Sequence, residues 1–290
     1  MSMRLRWALS VAALAMLLTT AAALAQIRYT SGQNVAPIFE GWQKNADGTI
    51  SMVFGYLNRN YEEQLDTPVG TENRCDPAPA DCGQPTHFLT RRQRFVFKVT
   101  VPKDWPKDRK FVWSVTSHGK TDSANGSLVP EMEIDNGTIS ENAGTGILTE
   151  GNEPPTILTI SPPQTVTLPG TATLTISATD DGIPKPKPAR PPDANAAPRT
   201  PPASPPSPEA LEALARRQPG VRIQWVQYRG AGTVTFDPPS APAVYGKPNE
   251  MTTKVSFSQP GTYVLRAIAS DSQLQVQGDA TVIVTAARSR

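Results

Sequence analysis

The 290-residue chain carries 28 basic and 26 acidic residues, 30 prolines, 20 glycines, two cysteines and two histidines. So even a charge balance argues against a nucleic-acid binder, which would show a basic excess or a basic face. Prolines and glycines in these numbers, with few long helical patterns, point to strands and loops.

Arg4 and Arg6 precede an uncharged stretch from Trp7 to about Ala22, which ends in Ala23-Leu24-Ala25. Charge, apolar run and small residues in that order form a secretory signal peptide over residues 1–25, with cleavage after Ala25. The alternative, a membrane anchor, needs a longer and less Ala-rich run. No cysteine follows the cleavage site and no second long apolar segment exists, so neither a lipid anchor nor a membrane span is expected. Cleavage removes Arg4 and Arg6 and no acid, which leaves 26 bases against 26 acids. The expected location is the periplasm or the extracellular medium.

Residues 26–34 read as a polar leader and residues 35–145 as an N-terminal β-sandwich. Val35 to Trp42 and Thr49 to Leu57 form a hairpin around Asn45-Ala46-Asp47-Gly48, since Asp-Gly between two such runs favours a tight turn. A loop-rich stretch from Asn58 to about Phe88 holds Cys75 and Cys82. In an oxidising compartment two cysteines this close pair as a structural staple on a surface loop, worth roughly 2–3 kcal/mol by loop-closure entropy. Strands follow at Phe95–Val101 and Lys110–Thr116, where alternate positions carry the larger apolar groups. Ser127 to Ile134 adds one more. The basic run of Arg91, Arg92 and Arg94, with Lys98 beyond, reads as charge guarding an exposed strand edge.

Residues 146–155 are a linker by composition. A second domain covers 156–286, with strands near 157–160, 165–168, 172–178, 221–228, 232–236, 252–257, 262–269 and 280–285. Seven or eight short strands with recurring turn residues make an immunoglobulin-like sandwich. Trp225 sits on its central strand, and Gly261-Thr262-Tyr263 places Tyr263 where a tyrosine corner would form. Residues 184–219 interrupt this domain with twelve prolines. Such a segment buries too little apolar surface to offset its ordering entropy, so disorder is expected. A short helix beginning at Pro208 with Ser207 as its cap is marginal without a packing partner.

The second domain resembles the PKD-like domains, immunoglobulin-fold modules of extracellular and cell-surface proteins. The resemblance lies in Ala178-Thr-Asp-Asp-Gly-Ile-Pro184, Ile223-Gln-Trp225, Gly230-Ala-Gly-Thr-Val-Thr-Phe236 and Phe257-Ser-Gln-Pro-Gly-Thr-Tyr-Val-Leu-Arg266 leading to Ala269-Ser-Asp271. The chain departs from the pattern in its long insertion and in Ser272, which stands where glycine is typical. The first domain is similar to a family of secreted bacterial proteins in Phe39-Glu-Gly-Trp42, Phe54-Gly-Tyr-Leu-Asn-Arg-Asn60, Gly83-Gln-Pro-Thr-His-Phe88 and Arg91-Arg-Gln-Arg94. That resemblance implies export and modular architecture.

No Gly-x-Ser-x-Gly elbow, His-Glu-x-x-His motif or phosphate-cradling glycine loop is present, and His87 and His118 lie on different segments. A catalytic function is therefore not expected; a secreted hydrolase or metal-dependent enzyme would need a deep pocket holding one of these histidines beside a carboxylate. In an immunoglobulin-like topology Asp180 and Asp181 approach Asp271, and the three either offer hard oxygen ligands to Ca²⁺ or make turn bonds to backbone amides. Asn58, Arg59, Tyr61 and Trp105 are either contacts for a glycan or ordinary structural residues. The expected function is an exported binding or scaffold protein that meets an envelope or extracellular protein, with carbohydrate binding as the alternative.

Overall fold

The computed structural model describes residues 28–77, 79–186, 214–215 and 217–287. The expected signal peptide, most of the proline-rich insertion and nearly all of the helix expected after Ser207 lie outside the described residues. The chain is all-β, built as two β-sandwiches of which the second is immunoglobulin-like.

In the N-terminal half, β1 (Val35–Lys44), β2 (Ile50–Asn58) and β6 (Arg91–Val101) form one antiparallel sheet in the order β1-β2-β6. A second sheet has the order β4-β7-β8, from Asn73–Asp76, Phe111–Ser117 and Lys120–Gly126. Between them the chain pairs β3 (Leu65–Asp66) with β5 (His87–Phe88). The inner faces meet in an aromatic cluster: Phe54 touches the rings of Phe39, Phe97, Phe111 and Trp113, and Phe88 stacks on Trp113. Aromatic rings contribute the most burial per residue, so these few side chains hold both sheets together.

The segment expected as a strand at 127–134 is a loop with a 3₁₀ turn at Pro130–Met132; the strand lies earlier, at Lys120–Gly126. Its residues are almost all polar because it lies at the end of its sheet and buries only Ala124 and Gly126. The hairpin that produces it turns at His118 and Gly119, both with positive φ (48° and 71°), the geometry of a type I′ turn. One helix, α1 (Asn136–Ala143), precedes the linker. The Asp135 carboxylate accepts from Thr138 N (2.7 Å) at its start, and left-handed Gly144 closes its end.

In the C-terminal half a five-stranded sheet has the order β10-β17-β16-β12-β14, from Gln164–Thr167, Gln275–Thr285, Gly261–Ser270, Val221–Arg229 and Ser240–Val244. It faces a four-stranded sheet, β13-β15-β11-β9, from Val234–Asp237, Asn249–Phe257, Ala172–Thr179 and Thr156–Ile160. The inward rows Val221-Ile223-Trp225 and Tyr263-Leu265-Ala267-Ala269 form the core with Leu174, Ile176 and Val255. Trp225 is buried within this core.

Tyr263 forms the tyrosine corner. Its hydroxyl lies 2.7 Å from the carbonyls of both Ala231 and Gln259, tying the β12–β13 connection to the start of β16. Gly230 (φ 117°) permits this, because any Cβ there would overlap the Tyr263 ring. Tyr263→Phe should lower stability by about 1–2 kcal/mol, because the carbonyls of Ala231 and Gln259 lose the one hydroxyl proton they share while the ring still packs. Urea unfolding at constant m-value is the measurement, and an unchanged midpoint would show that the corner contributes nothing.

Candidate functional site

The residues of functional interest gather where the two halves meet. The Cys75–Cys82 disulfide closes a short loop. Buried Gln84 fastens that loop from inside: its Nε2 donates to Ala80 O (2.8 Å) and Asn73 O (3.2 Å), and its Oε1 accepts from Cys82 N (2.8 Å). Asn73, also fully buried, donates to Thr67 O and Pro85 O and accepts from Trp113 Nε1. Polar side chains at zero exposure are affordable only because each is hydrogen-bonded.

The far side of this loop docks on the end of β12. The Arg229 guanidinium forks onto Asp81 (2.7 and 3.0 Å) while its Nε donates to Gln84 O (2.8 Å). Tyr228 donates its hydroxyl to Gly83 O, and Thr86 N donates to Tyr228 O (3.2 Å). Gly230 N donates to Thr86 Oγ1 (3.1 Å) and Gly232 N to Asp66 Oδ2 (2.9 Å). The Arg229 guanidinium holds the Asp81 carboxyl below the usual carboxylate range, and burial pushes the Tyr228 phenol up to about 12. Farther along, Arg266 Nη1 donates to Val96 O (2.6 Å) and Gln277 Nε2 to Phe95 O (3.1 Å). These bonds occupy carbonyls of β6, the unpaired edge of its sheet. The staple is thus part of the joint between halves rather than an isolated surface loop.

The basic run at the start of β6 divides into separate roles. Arg91 lies over the Tyr61 ring (3.9 Å), Arg92 pairs with Glu40 at 2.7 Å, and Lys98 donates to Gln43 Oε1 (2.8 Å). Arg94 is exposed and points into the space between the halves.

The residues considered for glycan contact do not form one surface. Asn58 has zero exposure; it donates to Glu63 O and Phe88 O and accepts from the Asn60 amide. Arg59 donates to Asn34 Oδ1 (2.9 Å), and Tyr61 N donates to Tyr29 O (3.0 Å), with the Tyr61 ring flanked by Arg28 and Arg91. Arg59 and Tyr61, with Asn60 bonded to Gln33, therefore clamp the segment 28–34 against the sandwich, while Asn58 ties the loop that follows β2. Trp105 donates to Arg109 O (3.1 Å) under the Arg109 guanidinium, in the loop beyond the other end of β6. At about 3.3 Å per residue, the eleven-residue strand sets these two aromatic positions roughly 30 Å apart, too far for a single sugar platform.

His87 lines the space between the halves and lies beside a carboxylate, the arrangement an enzyme would need. Both of its ring nitrogens are committed, Nδ1 to Asp66 Oδ1 (2.7 Å) and Nε2 to Gln64 Oε1 (2.8 Å). His118 Nε2 meets Glu63 Oε2 (3.2 Å). Among the described residues neither histidine is hydrogen-bonded to a nucleophile, the contact that base catalysis of acyl transfer requires.

At the opposite end of the C-terminal sheet, Asp180 and Asp271 lie near enough for the charge of one to act on the other. Asp181 lies close enough for its charge to act on both, while its two oxygens accept from Ile183 N (2.7 Å) and Glu153 N (3.0 Å). Asp271 Oδ1 accepts from Gln273 N and Leu274 N, and Asp180 Oδ2 from Gly182 N. That leaves Asp180 Oδ1 and Asp271 Oδ2 buried without hydrogen-bond partners, together with Asn152 Oδ1 from the linker. Burial, with the charges of Asp271 and Asp181, pushes Asp180 up to about 6, and burial likewise raises Asp271. No group of three or more acidic, histidine or cysteine side chains poised for a metal occurs among the described residues. The third oxygen is an amide, and the linker position of Asn152 offered no reason to single it out. Gln273 secures the same linker, accepting from Thr149 N and Asn152 Nδ2 and donating to Ile147 O.

Neither a protein-family model nor a curated protein sequence matches the chain. The N-terminal resemblance to secreted bacterial proteins thus gains no support. Among solved structures the chain is similar to immunoglobulin tandems. The tandem Ig repeats of Dlar align at 7% identity and TM-score 0.29, covering 88% of this chain and 98% of that one. A mutated three-Ig fragment of titin aligns at 6% and 0.25, covering 87% and 65%. The N-terminal eight Ig domains of Down Syndrome Cell Adhesion Molecule align at 9% and 0.24, covering 87% and 27%. The chain spans about two thirds of the titin fragment and a quarter of the adhesion molecule fragment. The immunoglobulin-like architecture rests on the strand order and registers above.

Arg229→Ala should loosen the joint while leaving both cores intact. Asp81 is half exposed, so the ion pair itself contributes under about 1 kcal/mol, and the bond to Gln84 O carries the remainder of an expected loss of about 1–2 kcal/mol. Hydrogen exchange should quicken at residues 83–86 and 228–232 and remain unchanged in β7 and β15. Uniform protection in the variant would show that Arg229 does not hold the halves together.

Proposed function

We propose that this protein is an exported, non-catalytic binding or scaffold module that works through protein–protein contacts at the cell envelope, periplasmic or secreted after cleavage following Ala25. The observation that carries the reading is the joint. Among the described residues, nine inter-half hydrogen bonds through Tyr228, Arg229, Gly230, Gly232, Arg266 and Gln277 fix two sandwiches in one relative orientation. A linker alone would suffice to keep two independent modules on one chain. Fixed orientation serves a composite surface, and preorganising such a surface lowers the ordering cost of association. To test this, the mature chain from residue 26 onward is immobilised and challenged with its own envelope fraction under crosslinking. A protein partner retained saturably, and competed by the free mature chain, is the expected result; loss of all saturable capture would overturn the reading.

The acid cluster supports a cation in addition. Two buried carboxylate oxygens and one buried amide oxygen, with the Asn152 side chain set against the Asp271 carboxyl, are hard donors of the kind Ca²⁺ takes, and a bound cation would supply the charge that Asp180 and Asp271 lack. Asp180, Asp271 and Asn152 would hold it, and because Asn152 belongs to the linker, the ion would stiffen the connection between halves. Calcium at about 1 mM should raise the melting temperature by several degrees relative to chelator, through preferential binding to the folded chain. Asp180→Asn should abolish that rise yet melt above wild type in chelator at neutral pH, since it removes one of two mutually repelling buried charges. Absence of any calcium effect on the wild type would sink the idea.

A further inference from the structure

The two cysteines of the chain are joined to each other, and they stand on unlike ground. Cys75 lies on β4 opposite Trp113 of β7 and belongs to the N-terminal core, where it is 4% exposed. Cys82 is half-buried and sits in a stretch whose neighbours Pro79, Ala80, Asp81 and Gly83 are all exposed. No apolar side chain of this stretch anchors it to the core. The sulfur–sulfur bond is what carries the order of β4 into it. Cys75 N also donates to Ala80 O (3.1 Å), and the Gln84 amide bonds to main-chain groups of the same loop.

That stretch supplies much of the joint. Of the nine hydrogen bonds between the halves, four end on Asp81, Gly83 or Gln84. The other five fall on Asp66, Thr86, Phe95, Val96 and the Tyr228 carbonyl, on or beside paired strands. Without the crosslink, Cys75 keeps its place as a thiol, because an unpaired cysteine packs as a small apolar group. The pairing of β4 with β7 outlasts the bond. The exposed stretch instead regains the freedom that closure of the loop had removed. Breaking one bond therefore acts on the joint before it acts on either core.

We propose that Cys75–Cys82 is a redox site at which an external dithiol, by thiol–disulfide exchange, loosens the joint between the halves while both sandwiches persist. A thiolate of the dithiol attacks the sulfur of half-buried Cys82; the sulfur–sulfur bond breaks, and Cys75 leaves as a thiolate that takes up a proton. The second thiolate of the dithiol then attacks the reagent's own sulfur in the mixed disulfide, and Cys82 leaves and is protonated in turn. The chain gains two electrons and two protons, and the dithiol loses the same and closes to a disulfide. An external disulfide reverses the sequence. The redox site stands on the joint alone; its effect on partner capture rests on the scaffold reading.

The test is hydrogen exchange of the full mature chain with and without dithiothreitol, with alkylation followed by mass measurement to count free thiols. In the native chain both cysteines should become alkylated. Exchange at residues 79–86 and 228–232 should then quicken at least about fivefold, as for local release of a crosslinked loop, with β7 and β15 unchanged. Cys82→Ser, which leaves Cys75 in the core, should exchange at the fast rate whether or not the dithiol is present. Three results overturn the assignment: cysteines that resist alkylation in the folded chain, exchange unchanged after reduction, or exchange quickened equally in β7 and β15. A response of Cys82→Ser to the dithiol as large as that of wild type overturns it too. Envelope capture with Cys82→Ser separates the two claims. Fast exchange with undiminished capture leaves the redox site standing and removes fixed orientation as the ground for the scaffold reading. Slow exchange in the reduced wild type, with capture intact, sinks the redox site and leaves the scaffold reading in place.

Discussion

The disulfide-closed loop set against the end of β12 is the constraint from which the rest of the arrangement follows. The groups that receive Tyr228 and Arg229 are largely main-chain carbonyls, at Gly83 and Gln84. A carbonyl offers a good acceptor only if its backbone is held still, and a loop of this kind would otherwise be mobile. The crosslink removes loop freedom from the outside, and Gln84 removes it from the inside. Docking then costs little further entropy, so modest hydrogen bonds suffice to hold the halves. On the receiving side the same turn is held by the tyrosine corner. Ala231, which accepts from Tyr263, lies between Gly230 and Gly232, whose amides reach across to Thr86 and Asp66. Rigid backbone therefore meets rigid backbone.

The second consequence concerns β6. An edge strand with free carbonyls invites pairing with another chain. Here two of those carbonyls, at Phe95 and Val96, accept from Gln277 and Arg266 of the other half. The residues before them carry arginines whose charges discourage a strand from joining. Edge protection and inter-half contact are achieved by the same side chains, so separating the halves would expose the edge as well.

Much of the fold was legible where burial alternates along a strand, as from Phe95 to Val101 and from Val221 to Gln227. It was not legible in Lys120–Gly126, which carries almost no apolar residues and is a strand because the His118-Gly119 turn returns the chain beside β7. The helix at 136–143 had its cap in Asp135 and its stop in Gly144, but no apolar stripe; its only buried residue is Ser140. For the sites, Asp180 and Asp271 followed from loop adjacency in the topology, whereas Asn152 did not, because a linker has no periodicity to place it. The docking contacts were invisible for a different reason. Carbonyl acceptors have no side-chain signature, so Gly83 and Gln84 read only as loop residues. Ser272 shows the opposite case: glycine is typical there, and the serine adopts a left-handed φ of 86°, keeping the turn that presents Asp271.

The positions of the contacts determine how much motion the tandem retains. β12 begins at Val221, with Arg222 opposite Ser270 and next to the Asp271 loop that secures the linker through Gln273. It ends at Arg229, where the disulfide loop docks. At about 3.3 Å per residue these two attachments lie some 20–25 Å apart. One attachment would allow the halves to swivel in any direction, and two leave only rotation about the line between them. The Arg266–Val96 and Gln277–Phe95 bonds lie one and two strands to the side of that line and oppose the remaining rotation. The space between the halves, lined by Arg94 and Gln224, lies among these three attachments, so its width is fixed by the same bonds that hold the halves. A cation at Asp180, Asp271 and Asn152 would strengthen the linker attachment, and reduction of Cys75–Cys82 would weaken the one at the end of β12. That ties the two proposals to one mechanical property: the space keeps its shape only while all three attachments hold.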